Sequence, residues 1–326
     1  MDNYLTYLYL FTPLHTGGSA DEGNLMGIAR EVHIEFPYMP ASSVRGRIRA
    51  AMEQKYENDG LKDAVQTFFG QKIEGGGQPT EGEVWFADAT LLFFPIASLS
   101  HHLVWITCPL WLERWSRWLG NDGDNVKTFA EDCHKKLKGL EGNKAKSAIA
   151  TFKAEPLYLQ TALLKPDDID SSVDTQSLSK KIKAITAGNG IIGEIEQRLV
   201  VLSNEDCVSL VETGLQREVR VALNENEKTV KGGSFRSEEA IPPETVLFFP
   251  WATKPIRPFK PKPGMKPEEI DKAKAEHKTR VDNHEAVKAS LQDMLGKRLQ
   301  FGGLEGLGRG WSSLKTDKSK TQEAQS

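Results

Sequence analysis

The chain has 326 residues, 39% of them hydrophobic and 27% charged, enough to bury one large core or two smaller ones. No apolar run approaches the roughly 20 residues needed to span a bilayer. The start, Met1-Asp2-Asn3-Tyr4, lacks a basic signal-peptide region, and three scattered cysteines (Cys108, Cys133, Cys207) argue for a reducing, cytoplasmic setting. A formal net charge of −3 excludes a globally basic nucleic-acid binder, yet a local stripe of Lys and Arg is enough to hold phosphates.

Tyr4 to Thr12 is aromatic-rich with apolar groups on both faces, which predicts a strand in the middle of its sheet. It ends at Pro13-Leu14-His15-Thr16-Gly17-Gly18. His15, beside glycines at a strand end, reads equally as a functional or a satisfied structural histidine. The polar loop that follows holds two carboxylates, Asp21 and Glu22, and then comes Arg30-Glu31. From Met39 to Ala51 the chain reads M-P-A-S-S-V-R-G-R-I-R-A-A. Pro40 closes an apolar run, and Ser42-Ser43 are expected to cap a new helix whose buried face is Val44, Ile48, Ala51 and Met52. Arg45 and Arg49 lie one turn apart and Arg47 points elsewhere. Free N–H groups with arginines in the first turns make a phosphate seat, and Gly46 lets another backbone come close. On these residues alone, a capped helix with a solvated basic face reads as well.

A second helix ends at Phe68-Phe69-Gly70, before a glycine-rich connector at 74–79. Val84–Pro95 and Leu103–Thr107 are apolar strands. Asp88 is expected to hydrogen-bond backbone, Cys108 to be a small buried hydrophobe, and His101-His102 to form an exposed turn rather than a metal site. Trp111, Trp115 and Trp118, with Arg114 and Arg117 between, could stack on bases, but spacings of four and three favour a core-facing helix stripe. Residues 121–150 read as peripheral helix and 165–186 as a mobile insertion. Arg217 to Asn224 alternates with period two, and the turn at 225–228 with Thr229–Phe235 completes a ribbon whose Arg217, Arg220, Lys228 and Lys231 could touch phosphates. The run P-I-R-P-F-K-P-K-P-G is a stiff linker, and Pro267-Glu268-Glu269 starts a long charged helix with a thin apolar stripe, suited to contact a neighbouring subunit. The glycine-rich stretch 299–311 lies too near the end for a dinucleotide-binding unit, and the chain after Lys315 is disordered by composition.

These segments resemble the CRISPR RAMP proteins. P-Y-M-P-A-S-S-V-R-G-R-I-R matches their P-x-I-P-G-S-S-x-K/R-G-x-x-R signature at Pro37, Pro40, Ser42, Ser43, Arg45, Gly46 and Arg49, with Ala41 in place of the usual glycine. L-H-T-G-G resembles the opening motif, and G-G-L-E-G-L-G-R-G the C-terminal glycine-rich loop. Arg30-Glu31, the block V-W-F-A-D-A-T-L-L-F-F-P through W-I-T-C-P-L-W-L-E-R, and residues 215–250 resemble the backbone subunit of the type III-B Cmr effector complex.

The resemblance implies an α+β fold: a ferredoxin-like (RRM-type) βαββαβ palm with a β-hairpin thumb and helical insertions. The palm begins in 1–120 and continues through insertions in 121–214. The thumb falls in 215–250, the linker and charged helix in 251–298, the last strand and glycine loop in 299–315, and the tail in 316–326. It implies binding of CRISPR RNA and complementary target RNA alongside other effector subunits and copies of itself, and no membrane. The RNA-binding residues it implies are His15, Arg30, Ser42, Ser43, Arg45, Arg47, Arg49, Arg217, Arg220, Lys231, Gly302, Gly303, Gly306, Gly308 and Arg309. Active relatives carry a catalytic aspartate before the Arg-Glu pair, but the matching position here falls near Leu25. Asp21 and Glu22 are the nearest carboxylates, with Mg2+ or Mn2+ expected as cofactor if cleavage occurs. A non-cleaving backbone subunit and a stand-alone CRISPR RNA processing endonuclease are the alternatives.

Overall fold

The computed structural model describes residues 2–18, 21–22, 25–71, 80–142, 144–153, 155–160, 162–173, 178, 181–182, 194–222 and 235–318. β1 (Asp2–Leu10) leads through a short hairpin, β2 (Asp21–Glu22) and β3 (Leu25–Met26), to α1 (Ala41–Lys55) and α2 (Lys62–Phe69). β4 (Val84–Phe86), β5 (Thr90–Ser98) and β6 (His102–Thr107) follow, then α3 (Pro109–Ser116) and α4 (Gly123–Lys138). Five short strands come next: β7 (Ala148–Ala150), β8 (Leu157–Leu159), β9 (Ala162–Leu164), β10 (Ile169–Asp170) and β11 (Leu199–Leu202). After α5 (Asn204–Gly214), the strands β12 (Gln216–Arg220), β13 (Arg236–Ala240) and β14 (Val246–Thr253) lead to the long α6 (Pro267–Met294). β15 (Arg298–Gln300) and β16 (Trp311–Lys318) end the described chain.

Ten strands form one sheet, ordered β10-β7-β11-β6-β5-β14-β1-β16-β15, with β4 also paired to β14. Its pairs are antiparallel except β10 with β7 and β11 with β6. This is the α+β class expected from the sequence. β1 is buried on both faces because strand alternation sends successive side chains to opposite sides. Tyr4, Leu8 and Leu10 join one core with residues of α1, α2, α5 and α6, and Leu5, Tyr7 and Tyr9 join a second with α3 and α4. Trp111 and Trp115 are buried and Trp118 is half-buried, so the tryptophan stripe packs inward. Trp115 donates its indole N–H to the Tyr7 hydroxyl at 2.9 Å. All three cysteines are buried free thiols.

A separate four-stranded sheet, β12-β13-β3-β2, carries the segment expected to form the thumb. The connector at 74–79, the basic residues Lys180 and Lys183, and the ribbon turn with Lys228 and Lys231 lie outside the described residues. The tail begins later than composition implies: Thr316, Asp317 and Lys318 extend β16 and pair with Thr6, Leu5 and Tyr4. An open edge of β1 supplies their hydrogen bonds, and Thr316 also bonds Thr6 at 2.7 Å. Among the described residues no helix is long and apolar enough to cross a membrane.

Only the second half of α6 is a core helix. Val287 and Leu291, with Leu295 just beyond, are buried, while Ile270, Ala273 and Val281 stay partly exposed. The switch between halves is clamped by Glu83, whose carboxylate accepts from Arg280 Nη2 at 2.6 Å and from His284 Nδ1 at 2.8 Å. The hydrogen bond from His284, outweighing burial and assisted by Arg280, holds the Glu83 carboxyl below its ordinary range. A carboxyl that titrates lower in the folded than in the unfolded state contributes stability that is complete above about pH 5 and is lost as pH falls through its lowered value. Glu83→Gln should therefore destabilise the protein by about 1–3 kcal/mol at neutral pH. Urea unfolding at falling pH should show that penalty shrinking; a pH-independent penalty would exclude the ionic role.

Candidate nucleic-acid interface

The start of α1 is built differently from the serine cap expected. Pro40 occupies the N-cap position, and the Asp88 carboxylate accepts from the Ala41 N–H at 2.7 Å. Ser43 N–H is already bonded to the Pro40 carbonyl, so neither serine caps the helix. Ser42 is exposed and Ser43 half-exposed in the first turn. Gly46 is exposed one turn later, and nothing in the chain lies within 4 Å of where its Cβ would be. Val44, Ile48 and Met52 are fully buried beneath this face.

The three arginines of α1 fan out in different directions. Arg45 turns inward: its guanidinium donates to the Val84 carbonyl at 2.9 Å and to the Phe69 carbonyl, and sits over the Phe69 ring. Burial, reinforced by Arg49, pulls its pKa down. Arg45, expected to seat a phosphate, thus also ties α1 to α2 and β4 through these two carbonyls. Arg49 pairs with Glu53 one turn on at 2.8 Å. Arg47 reaches the glycine-rich loop, donating to the Gln300 carbonyl at 2.6 Å and lying 3.8 Å from Glu305.

That loop folds on itself. Gln300 donates to the carbonyls of Glu305 and Arg309, both at 2.9 Å. His15 and Gly303 bridge the loop to the end of β1, with Gly303 N–H on the His15 carbonyl at 2.8 Å. A Cβ on Gly302, which has φ +80°, would stand 2.3 Å from that carbonyl. Close approach to Gly302 and Gly303 thus comes from the protein's own chain, whereas Gly306 and Gly308 face open space. His15 is buried and donates through Nδ1 to the Glu239 carbonyl at 2.9 Å, so it joins segments and does not reach the surface.

The remaining arginines form two closed rings around adjacent, buried glutamates of β13. On one face Arg30 bonds Glu212 at 2.6 Å and Glu239 at 2.9 Å, and Arg217 bonds the same two carboxylates. On the other face Arg309 and Arg220 both bond Glu218 and Glu238. Register explains the need: Arg217 lies across from Glu239, but Glu218 lies across from Glu238. Two like charges directly opposite destabilise a sheet unless cations sit between them. Arg309, expected to meet an RNA phosphate, is buried and bonds both carboxylates of this pair. The Arg-Glu motif is shared out, with Glu31 taking a two-pronged bond from Arg114 at 2.7 and 2.8 Å.

β2 and β3 extend the same sheet outward from β13. Their register sets Glu22 across from Leu25 and Asp21 across from Met26. Leu25, Gly27, Arg30, Glu212 and Arg217 line a cleft of about 700 Å³ beside them. Lys231 lies outside the described residues. Among the described residues no group of three or more His, Cys, Asp or Glu side chains is placed to hold a metal ion.

The family described as the RAMP superfamily matches residues 7–314. The chain belongs to the RAMP superfamily. Among curated RAMP relatives is the CRISPR system Cmr endoribonuclease Cmr4 of Pyrococcus furiosus, 28% identical over 315 residues that cover 95% of this chain and 94% of that protein. The crystal structure of oligomeric Cmr4 from the same organism superposes with TM-score 0.62 at 23% identity, covering 98% of this chain and all of that one. A type III-B Cmr-beta subunit in the apo state gives 0.66 at 18% identity, covering 98% of each chain. A Cmr-beta subunit from the complex bound to cognate target RNA gives 0.65, also at 18%, covering 97% of each. These similarities establish the RAMP fold of the chain.

The glutamates 212, 218, 238 and 239 were missed in the sequence; the facing strings R-E-V-R and S-E-E-A, read as paired strands, contain 218, 238 and 239, whereas Glu212 lies on α5 and carries no such signal. Arg309→Ala should leave Glu218 and buried Glu238 opposed with Arg220 alone between them, a loss of about 3–5 kcal/mol for a broken buried pair. Chemical denaturation of the single variant and of Arg309→Ala with Glu238→Gln should show the second change recovering part of the loss.

Proposed function

We propose that the chain is a backbone subunit of a type III-B CRISPR effector complex, holding CRISPR RNA and assembling with copies of itself and other subunits in the cell interior. The family match spanning 7–314 carries this reading, with a Cmr4 relative and Cmr-beta structures in its support. The exposed first turns of α1 supply the contact surface. Ser42 and Ser43 offer hydroxyls, Gly46 leaves room for a second backbone, and Arg47 stands partly exposed beside open Gly306 and Gly308. Such contacts hold a sugar–phosphate chain without reading its bases, which leaves sequence to base pairing. Arg217, 55% exposed, lies on one face of the thumb-type sheet, where the target strand would pass.

Gly46→Leu tests the contact face. Leucine is the better helix former, so the variant should gain up to about 1 kcal/mol in stability. Its side chain would fill the space kept for the guide, so guide-RNA affinity should fall roughly tenfold, or ~1.4 kcal/mol. A gain in stability with unchanged RNA binding would remove α1 from the interface.

A second reading concerns cleavage, and the β2–β3 register favours it. The resemblance puts the family's carboxylate position near Leu25, and Glu22 lies directly across from Leu25. A carboxylate there would take the proton of a ribose 2′-OH as that oxygen attacks the adjacent phosphate and the 5′-oxygen leaves. Glu22→Ala in the assembled complex should abolish target cleavage with guide and target binding retained, and Asp21→Ala should have the smaller effect. Unchanged cuts in the double variant would make this a non-cleaving subunit.

A further inference from the structure

Between β14 and α6 the chain reads K-P-I-R-P-F-K-P-K-P-G-M-K, Lys254 to Lys266, with five cations, four prolines and no acid in a chain of overall charge −3. No helix or strand forms there. Prolines hold φ near about −65° and bias the residues before them toward extended backbone, the conditions for a polyproline II strand with about three residues per turn. The sequence has that same period. Pro255, Pro258 and Pro261 fall on one edge, Ile256 and Phe259 on a second, and Lys254, Arg257 and Lys260 on the third. Lys262 follows in the register of Phe259 but is exposed, where the strap turns with Met265 N–H on the Lys262 carbonyl at 3.3 Å.

Burial follows the period as well. The three prolines, Arg257 and Lys260 are exposed, while Ile256 and Phe259 are half-buried. Phe259 packs on His277 of α6 with centroids 5.9 Å apart, and His277 Nε2 donates to the Arg257 carbonyl at 2.8 Å. The apolar edge therefore lies against the protein and the cationic edge faces out. Lys254 is paired with Glu81 at 2.7 Å. Among the described residues no carboxylate pairs with Arg257, Lys260 or Lys262. Beneath the strap is a cleft of about 520 Å³ lined by Lys254, Arg257, His277 and Arg280, whose two carboxylates, Glu81 and Glu83, are already bonded to cations of the same cleft.

We propose that the 254–266 strap is a second polyanion site, a rail of its own residues that takes the sugar–phosphate backbone of a single-stranded nucleic acid. Successive charges on its edge stand about 9 Å apart on a backbone already extended and stiff, so little order is lost on binding. Its apolar edge is covered by α6, which leaves point charges and no greasy anchor outward, the pattern for phosphates rather than for a protein hot spot. The site stands or falls separately from the guide-binding reading, because Gly46→Leu leaves the strap untouched.

The test is fluorescence anisotropy of the full chain with a short unstructured single-stranded RNA, and with DNA of the same sequence, across a range of salt. Arg257→Ala/Lys260→Ala/Lys262→Ala, all exposed, should leave the thermal midpoint unchanged. It should lower the slope of log affinity against log salt by about 2 for both polymers, since each phosphate contact on a single strand contributes about 0.7. Pro258→Gly/Pro261→Gly keeps every charge, so it should keep the slope while weakening affinity severalfold through lost pre-organisation. An unchanged slope in the triple variant overturns the proposal. So does a variant that alters self-association in sedimentation with the slope intact, which would assign the strap to an acidic face of another protein copy.

Discussion

Two neighbouring carboxylates, Glu238 and Glu239, organise the face of this molecule that bears the candidate site. Both are almost wholly buried on a four-stranded sheet with little apolar surface of its own. An isolated buried carboxylate is costly, so each must be matched by cations held in good geometry. Strand alternation points the two in opposite directions, so each face of β13 collects its own pair of arginines. Arg30 comes from the loop before α1 and Arg309 from the glycine-rich loop near the C-terminal end. The sheet is thereby clamped by chain segments almost 280 residues apart.

The same constraint sorts the arginines by task. Guanidinium groups with fixed forks are well matched to carboxylates and carbonyls, and the buried ones hold elements together. Arg45 ties α1 to α2 and β4, Arg114 ties α3 to Glu31, and Arg309 ties the glycine loop to the small sheet. Under the proposed guide-binding reading, an external phosphate would meet a thinner set: hydroxyls and a bare glycine on α1, the outward parts of Arg47 and Arg217, and the open glycines 306 and 308.

The glycine-rich loop and His15 show how one motif serves two purposes. Gly302 is needed because the His15 carbonyl passes where a side chain would begin, so this part of the motif is internal packing. Gly306, four residues on, has no such neighbour and is free to face a ligand. Spacing in the sequence is identical in character at both positions. Only the path of the chain end of β1 distinguishes them.

Much was legible from residue order alone. Aromatic alternation in β1, the apolar stripe of α1, the tryptophan stripe of α3, the start of α6 at Pro267 and the motifs of the RAMP superfamily all depend on local periodicity, which folding preserves. Asp88 bonding to backbone was foreseen as well, though not that it would displace Ser42 and Ser43 as the cap. The extent of β16 was not, because composition marks Thr316 to Lys318 as tail and the partner that orders them is 310 residues away in β1. Nor could sequence assign Arg45 and Arg309 inward and Arg217 outward, since an arginine's direction is set by which carboxylates and carbonyls the fold brings within reach. Residue order determined the class of fold and the chemical types available at the site. Tertiary structure decided which of those charges are already matched, because matching is a long-range contact and leaves no period in the sequence.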